Sequence, residues 1–108
     1  MSELVKNNLP LLQLLSTADR KRRKALLATL TRDEVDAIVE VLLNALAGEC
    51  RHKLTPHCVK QCARYKKHLR ALAYDQGLSW KKRRNLTQVG GGAWLIPLIS
   101  AALSLLTK

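Results

Sequence analysis

Six residues in the middle of the chain carry donor atoms that can bind metals or act as nucleophiles: Cys50, His52, His57, Cys58, Cys62 and His68. Cys58 and Cys62 are one helical turn apart. Both thiols could reach one zinc ion, with Cys50 and His52 added from the preceding loop. The spacing matches none of the common zinc-finger patterns. Both helical cysteines also fall on an apolar stripe, where cysteine serves as a small hydrophobe. Core packing is therefore their expected role, and no metal is expected. A nucleophilic Cys–His pair would need a cleft that no architecture implied here provides. No enzyme and no cofactor are expected. Gly90, Gly91 and Gly92 do not form a phosphate loop, because no Gly-Lys-Ser/Thr follows and no strand precedes them. They read as a flexible hinge. Asn85-Leu86-Thr87 is a formal glycosylation sequon, read as chance because it sits beside a run of bases.

Two dense basic runs are better founded. Arg20, Lys21, Arg22, Arg23 and Lys24 form one, and Lys81, Lys82, Arg83 and Arg84 the other. Each suits phosphate binding or nuclear localisation. Lys60, Arg64 and Lys67 add bases on a helix between them. The chain has 19 Lys and Arg against 8 Asp and Glu, a formal charge of +11. Residues 1–49 are balanced, and the excess falls in residues 50–108, where Asp75 is the single acid. Such asymmetry points to a polyanion, either nucleic acid or an anionic membrane surface. Aromatic interleaving is sparse, with Tyr65, Tyr74 and Trp80, and no sequence-reading fingerprint is present. Nucleic-acid contact is thus expected to be non-specific and directed at the backbone.

The third feature is an uncharged segment from Ala93 to Leu106. As a helix, its fourteen residues would span about 21 Å, short of a hydrocarbon core of ~30 Å. Trp94, Leu95, Ile96, Leu98, Ile99 and Leu103 suit shallow insertion into a bilayer, with the basic run 81–84 held to anionic headgroups. The alternative is burial in protein. If the segment packs against the first helices, membrane activity requires a release and an adaptor role gains.

These side chains need helices to position them. Leu and Ala dominate 108 residues without a single Phe, a composition for a thin, aliphatic, all-helical core in one domain. The first helix lies within residues 4–15, starting firmly near Leu9 because Pro10 is tolerated in a first turn. A second runs over residues 19–30, with its bases placed unfavourably at the N-terminus. A third begins at a Thr31/Glu34 capping box. It carries Val35, Ile38, Val39, Leu42, Leu43 and Leu46 at helical spacing and stops at Gly48. A fourth starts at Thr55-Pro56 and continues through Cys58, Cys62, Tyr65, Leu69 and Leu72 towards Gly77. The acidic face of the third helix and the basic faces of the fourth are expected to attract each other. Ser79 caps a short turn holding Trp80. The expected organisation is a helical bundle over residues 1–76, a basic glycine-containing hinge over 77–92 and an apolar tail over 93–108. The apolar stretch 9–15 is too short and interrupted for a secretory signal, and the odd number of cysteines fits a reducing compartment.

Read together, Leu54-Thr55-Pro56, the run from Tyr65 to Leu72, Leu78-Ser79-Trp80-Lys81-Lys82-Arg83-Arg84-Asn85-Leu86, Gln88, the glycines and Ile96-Pro97-Leu98-Ile99 carry a family resemblance. The layout over residues 31–106 resembles the small basic proteins of polinton- and adintovirus-type double-stranded DNA viruses and transposons. Those are similar in layout to the adenovirus small core protein and to minor virion proteins with a membrane-active tail. The cysteines are not part of that pattern. The resemblance implies a virion component that contacts packaged DNA and engages a membrane or capsid protein. It also implies residence in the virion and in the host nucleus or cytoplasm, with membrane association. The rival expectation is a helical interaction adaptor whose tail is buried in a partner or a homo-oligomer.

Overall fold

The computed structural model describes residues 2–46, 56–75 and 77–106. They form an all-α protein in which the helices beginning at Glu3, Arg20, Arg32 and Trp80 each start at a side-chain cap. Helix α1 (Glu3–Asn7) starts at Ser2, whose hydroxyl accepts from the Val5 N–H at 3.2 Å. Helix α2 (Leu9–Thr17) follows at once, with Pro10 in its first turn. The Asn8 side-chain amide donates to the Leu4 carbonyl at 2.8 Å and closes the break between them. Helix α3 (Arg20–Ala28) is capped by Asp19, whose carboxylate accepts from Arg22 N–H at 2.8 Å. That one carboxylate offsets the repulsion between the helix dipole and five successive bases.

Helix α4 (Arg32–Leu46) has the reciprocal capping box expected of it. Thr31 N–H donates to Glu34 Oε1 at 2.8 Å, and Glu34 N–H donates to the Thr31 hydroxyl at 3.3 Å. Val35, Ile38, Val39 and Leu42 are buried along its stripe, and Leu43 is half-buried. The expected stop at Gly48 and cap at Thr55, and the ligand candidates Cys50 and His52, lie outside the described residues.

The expected fourth helix is two. Helix α5 (Pro56–Arg64) and helix α6 (Lys66–Tyr74) meet at Tyr65, which leaves helical geometry at φ −105, ψ 22. A tertiary contact sits at this break. The Tyr65 ring stacks on Trp94 at 5.6 Å between centroids with 20° between planes, an offset geometry that aromatic pairs favour. Asp75 ends α6, its carboxylate accepting from Gly77 N–H at 2.9 Å. Helix α7 (Trp80–Thr87) starts at Ser79, which accepts from Lys82 N–H at 3.3 Å.

Gly90, Gly91 and Gly92 then adopt φ values of 63, 73 and 78, a left-handed turn open to glycine and strained for any other residue. Gly91 N–H donates to the Gln88 carbonyl at 3.0 Å, and Gly91 and Gly92 are buried. A side chain at Gly92 would overlap Leu27. The residues expected to act as a flexible hinge adopt a packed left-handed turn here. It redirects the chain into helix α8 (Ile96–Leu106), which takes Pro97 in its first turn.

Helix α8 packs against α4 and α2, and α1 packs on α4. Trp94, Leu95, Leu98, Ile99, Ala102 and Leu103 share one core with Leu12, Leu15, Leu27, Ile38, Leu42 and Leu72. The segment set apart as residues 93–108 is thus, over its described part, a central piece of the bundle. Apolar side chains that satisfy a bilayer satisfy a protein interior equally, and here the faces of α2 and α4 are at hand.

Candidate nucleic-acid interface

The twelve basic residues singled out in the sequence divide by what their side chains do. Arg20, Lys21, Arg22, Lys24, Lys60, Arg64, Lys67, Lys81 and Lys82 are exposed. Arg23, Arg83 and Arg84 are half-buried and hold the fold together. Arg23 Nε donates to the Gly91 carbonyl at 2.9 Å across 68 positions of sequence. Arg84 Nη1 reaches the Leu30 carbonyl at 3.4 Å, and Arg83 Nη2 donates to the Asp75 carbonyl at 2.7 Å. Beside the phosphate contact expected of them, these three therefore also tie segments of the fold to one another. Each donates to a backbone carbonyl at a helix end or turn, a position that guanidinium geometry fits.

Those ties also decide how the two basic runs meet. Arg84 pairs with the C-terminal end of α3, and Arg23 near its N-terminus pairs with the turn that follows α7. Helix α3 therefore lies antiparallel to α7 and the glycine turn, in contact with both. The exposed bases of the two runs fall towards opposite ends of this pair, separated by roughly the 12 Å length of α3. At one end Arg20 and Lys24 lie over Gly91. At the other, Arg84 and Lys81 flank the Trp80 ring, at 5.2 and 5.9 Å from its centroid. Such cation–π contacts hold basic chains in place while their charge stays accessible. On α5, Arg64 lies 5.6 Å from the Tyr65 ring centroid, and Lys60, Arg64 and Lys67 extend the basic surface along α5 and α6.

The expected membrane contacts have a different placement. Trp94, Leu95, Leu98, Ile99 and Leu103 are buried and Ile96 is half-buried against the core. The folded chain therefore shows a bilayer none of its expected anchors except part of Ile96. Exposing Leu95, Leu98 and Ile99 alone would cost roughly 4–9 kcal/mol. That is comparable with the roughly 5–16 kcal/mol of total stability for a chain this size. Engagement through this segment would require opening the core. Among the described residues no single helix is long and apolar enough to cross a membrane. The segments Trp80–Thr87 and Val89–Ser104 qualify only as a pair bent by 81°.

Among the described residues no three His, Cys, Asp or Glu side chains converge as metal ligands. Cys62 sits half-buried against the core, as its stripe position implies.

Sequence reasoning passed over Arg32 and Asp36, which the fold brings beside Trp80 and Arg83. Their spacing of four on α4 is a helical-face signal, but on an acidic face it resembles ordinary solvated charge. The Trp80–Arg84 contact, by contrast, is legible as an i, i+4 pair. The chain matches no protein-family model, no curated protein and no solved structure.

Proposed function

We infer that this protein binds the phosphate backbone of nucleic acid without sequence preference, as a minor virion or core protein of the kind its layout resembles. The observation that supports this reading best is the antiparallel packing of α3 on α7, which sets two basic runs distant in sequence on adjacent helices, their exposed bases towards opposite ends of the pair. Eleven exposed bases on α3, α5, α6 and α7 are available to it, Lys66 and Arg70 among them. Phosphate contacts of this type position a protein on DNA and carry no base information.

The burial of Trp94, Leu95, Leu98, Ile99 and Leu103 makes this segment part of the core, with α8 packed on α4 and α2. Contact with a membrane or capsid protein through that segment belongs to an opened state. The adaptor reading draws on the same burial and on Val59 and Tyr74, which are 54% and 60% exposed. In that reading their apolar surface meets a partner or a second copy.

Salt-dependent DNA binding tests the first reading. Neutralising about six phosphates gives a log–log salt slope near −5 for duplex DNA. The paired change Lys21→Gln and Arg22→Gln should reduce that slope by roughly 2. Binding insensitive to salt, or discrimination between duplex sequences of equal length, would overturn it. Retention of full binding after both changes, with partner-dependent assembly, would favour the adaptor.

A further inference from the structure

Where the chain enters α7, it forms a pocket of about 430 Å³ lined by Arg32, Asp36, Leu78, Ser79, Trp80 and Arg83. That volume lies in the range of small-ligand sites, ~300–1,000 Å³. Helix α4 supplies Arg32 and Asp36 one turn apart, and the start of α7 supplies the others. Contact between α4 and α7 brings them together.

The lining is unlike the rest of the basic surface. A surface that only tracks phosphates has no use for a carboxylate, which repels them. Here Asp36 shares the lining with two arginines, Arg32 and Arg83. Arg83 is held by its bond to the Asp75 carbonyl, while its Nε, shielded from water, lacks an acceptor. Ser79 adds a hydroxyl, and Trp80 and Leu78 add apolar surface. A ligand that uses this whole set must carry an anion for the arginines, hydrogen-bond donors for Asp36 and a flat apolar body for the indole and leucine.

An unpaired nucleotide has all three. Its phosphate matches Arg32 and Arg83. The amino, imino or hydroxyl donors of its base and sugar match Asp36. Its base matches Trp80 and Leu78. Continuous duplex offers the phosphate but keeps its Watson–Crick donors in pairing, and inorganic phosphate offers only the anion. The geometry points to this pocket as a site for an unpaired nucleotide, either free or within a single strand. The inference rests on the nucleic-acid reading above and adds to it a preference for single-stranded or frayed segments over continuous duplex.

The test uses the full chain and three probes: fluorescein-labelled twelve-nucleotide oligo(dA), a labelled twelve-base-pair duplex, and free AMP. Binding is followed by anisotropy at fixed salt, with thermal melts to show that each variant is folded. Wild-type protein should favour the single strand, and Asp36→Asn should reduce the single-strand-to-duplex affinity ratio by about fivefold or more, the low end for a lost base contact. Arg32→Gln, at an exposed position, should lower the same ratio without disturbing the fold. Lys21→Gln, remote from the pocket, should weaken both complexes alike. In nuclear magnetic resonance spectra AMP should shift the indole N–H signal of Trp80 and leave that of core-buried Trp94 in place. A shift with AMP identifies free nucleotides as sufficient, and a shift only with oligo(dA) assigns the site to strands. Unchanged ratios in both pocket variants, with salt-dependent duplex binding intact, overturn the pocket alone. Failure of every probe at low salt overturns the nucleic-acid reading together with it.

Discussion

Replacing Gly92 with alanine tests the packed turn at its tightest point. Were residues 90–92 a free hinge, alanine would stabilise the protein by about 0.4–1 kcal/mol through the unfolded chain. The structure demands the opposite sign. Gly92 has φ 78, and a Cβ there would overlap Leu27 Cδ1 and come within 3.1 Å of the Thr87 carbonyl. Left-handed geometry costs alanine about 1–2 kcal/mol. Forcing Leu27, which is 1% exposed, out of its place adds an overpacking cost of about 1–3 kcal/mol. The expected loss is roughly 2–5 kcal/mol, read by urea unfolding followed by circular dichroism with an unchanged m-value. In thermal melts each kcal/mol amounts to about 4–8 °C. Gly91→Ala is the internal comparison. At φ 73 it carries the backbone cost, but its nearest neighbours would be Lys24 Cε at 3.5 Å and Arg20 Nε at 3.6 Å, ordinary contacts. It should lose only about 1–2 kcal/mol. The double change Leu27→Ala and Gly92→Ala isolates the clash, because the new methyl enters the space that leucine leaves. Its cost should fall below the sum of the single changes by about 1–3 kcal/mol. A stabilising Gly92→Ala, or strict additivity with Leu27→Ala, would refute the packed turn.

Two further outcomes follow from the core and its caps. Thr31→Ala removes half of the reciprocal cap on α4 and should cost about 1 kcal/mol. Leu42→Ala, at a fully buried position, should cost about 2–5 kcal/mol, and equal effects of the two in urea titrations would contradict the packing of α4. Wild-type protein should stay in the supernatant with neutral vesicles under native conditions, because Trp94, Leu95, Leu98 and Ile99 are enclosed. Co-sedimentation should appear only as the core opens, so binding to neutral vesicles well below the unfolding midpoint would show that α8 is released more easily than its burial implies.

Local chemistry determined where α1, α3, α4 and α7 begin. The Thr31/Glu34 box and the Ser79 cap each act across three residues, so their spacing in the chain is their spacing in space. The apolar stripe of α4 and the first-turn Pro10 are local in the same way. The all-helical class followed from an aliphatic composition with helical periodicity. What tertiary structure decided is whatever depends on partners distant in the chain. The break at Tyr65 coincides with its stacking on Trp94, a contact that no i, i+4 pattern reveals. Arg23, Arg83 and Arg84 look like their exposed neighbours in sequence, and only the carbonyls of Gly91, Asp75 and Leu30 distinguish them. Three glycines are compatible with a hinge or with a left-handed turn, and Leu27 and Thr87 select the turn. The apolar segment was the most ambiguous, for hydrophobicity records only a preference for leaving water. The faces of α2 and α4 supplied its destination.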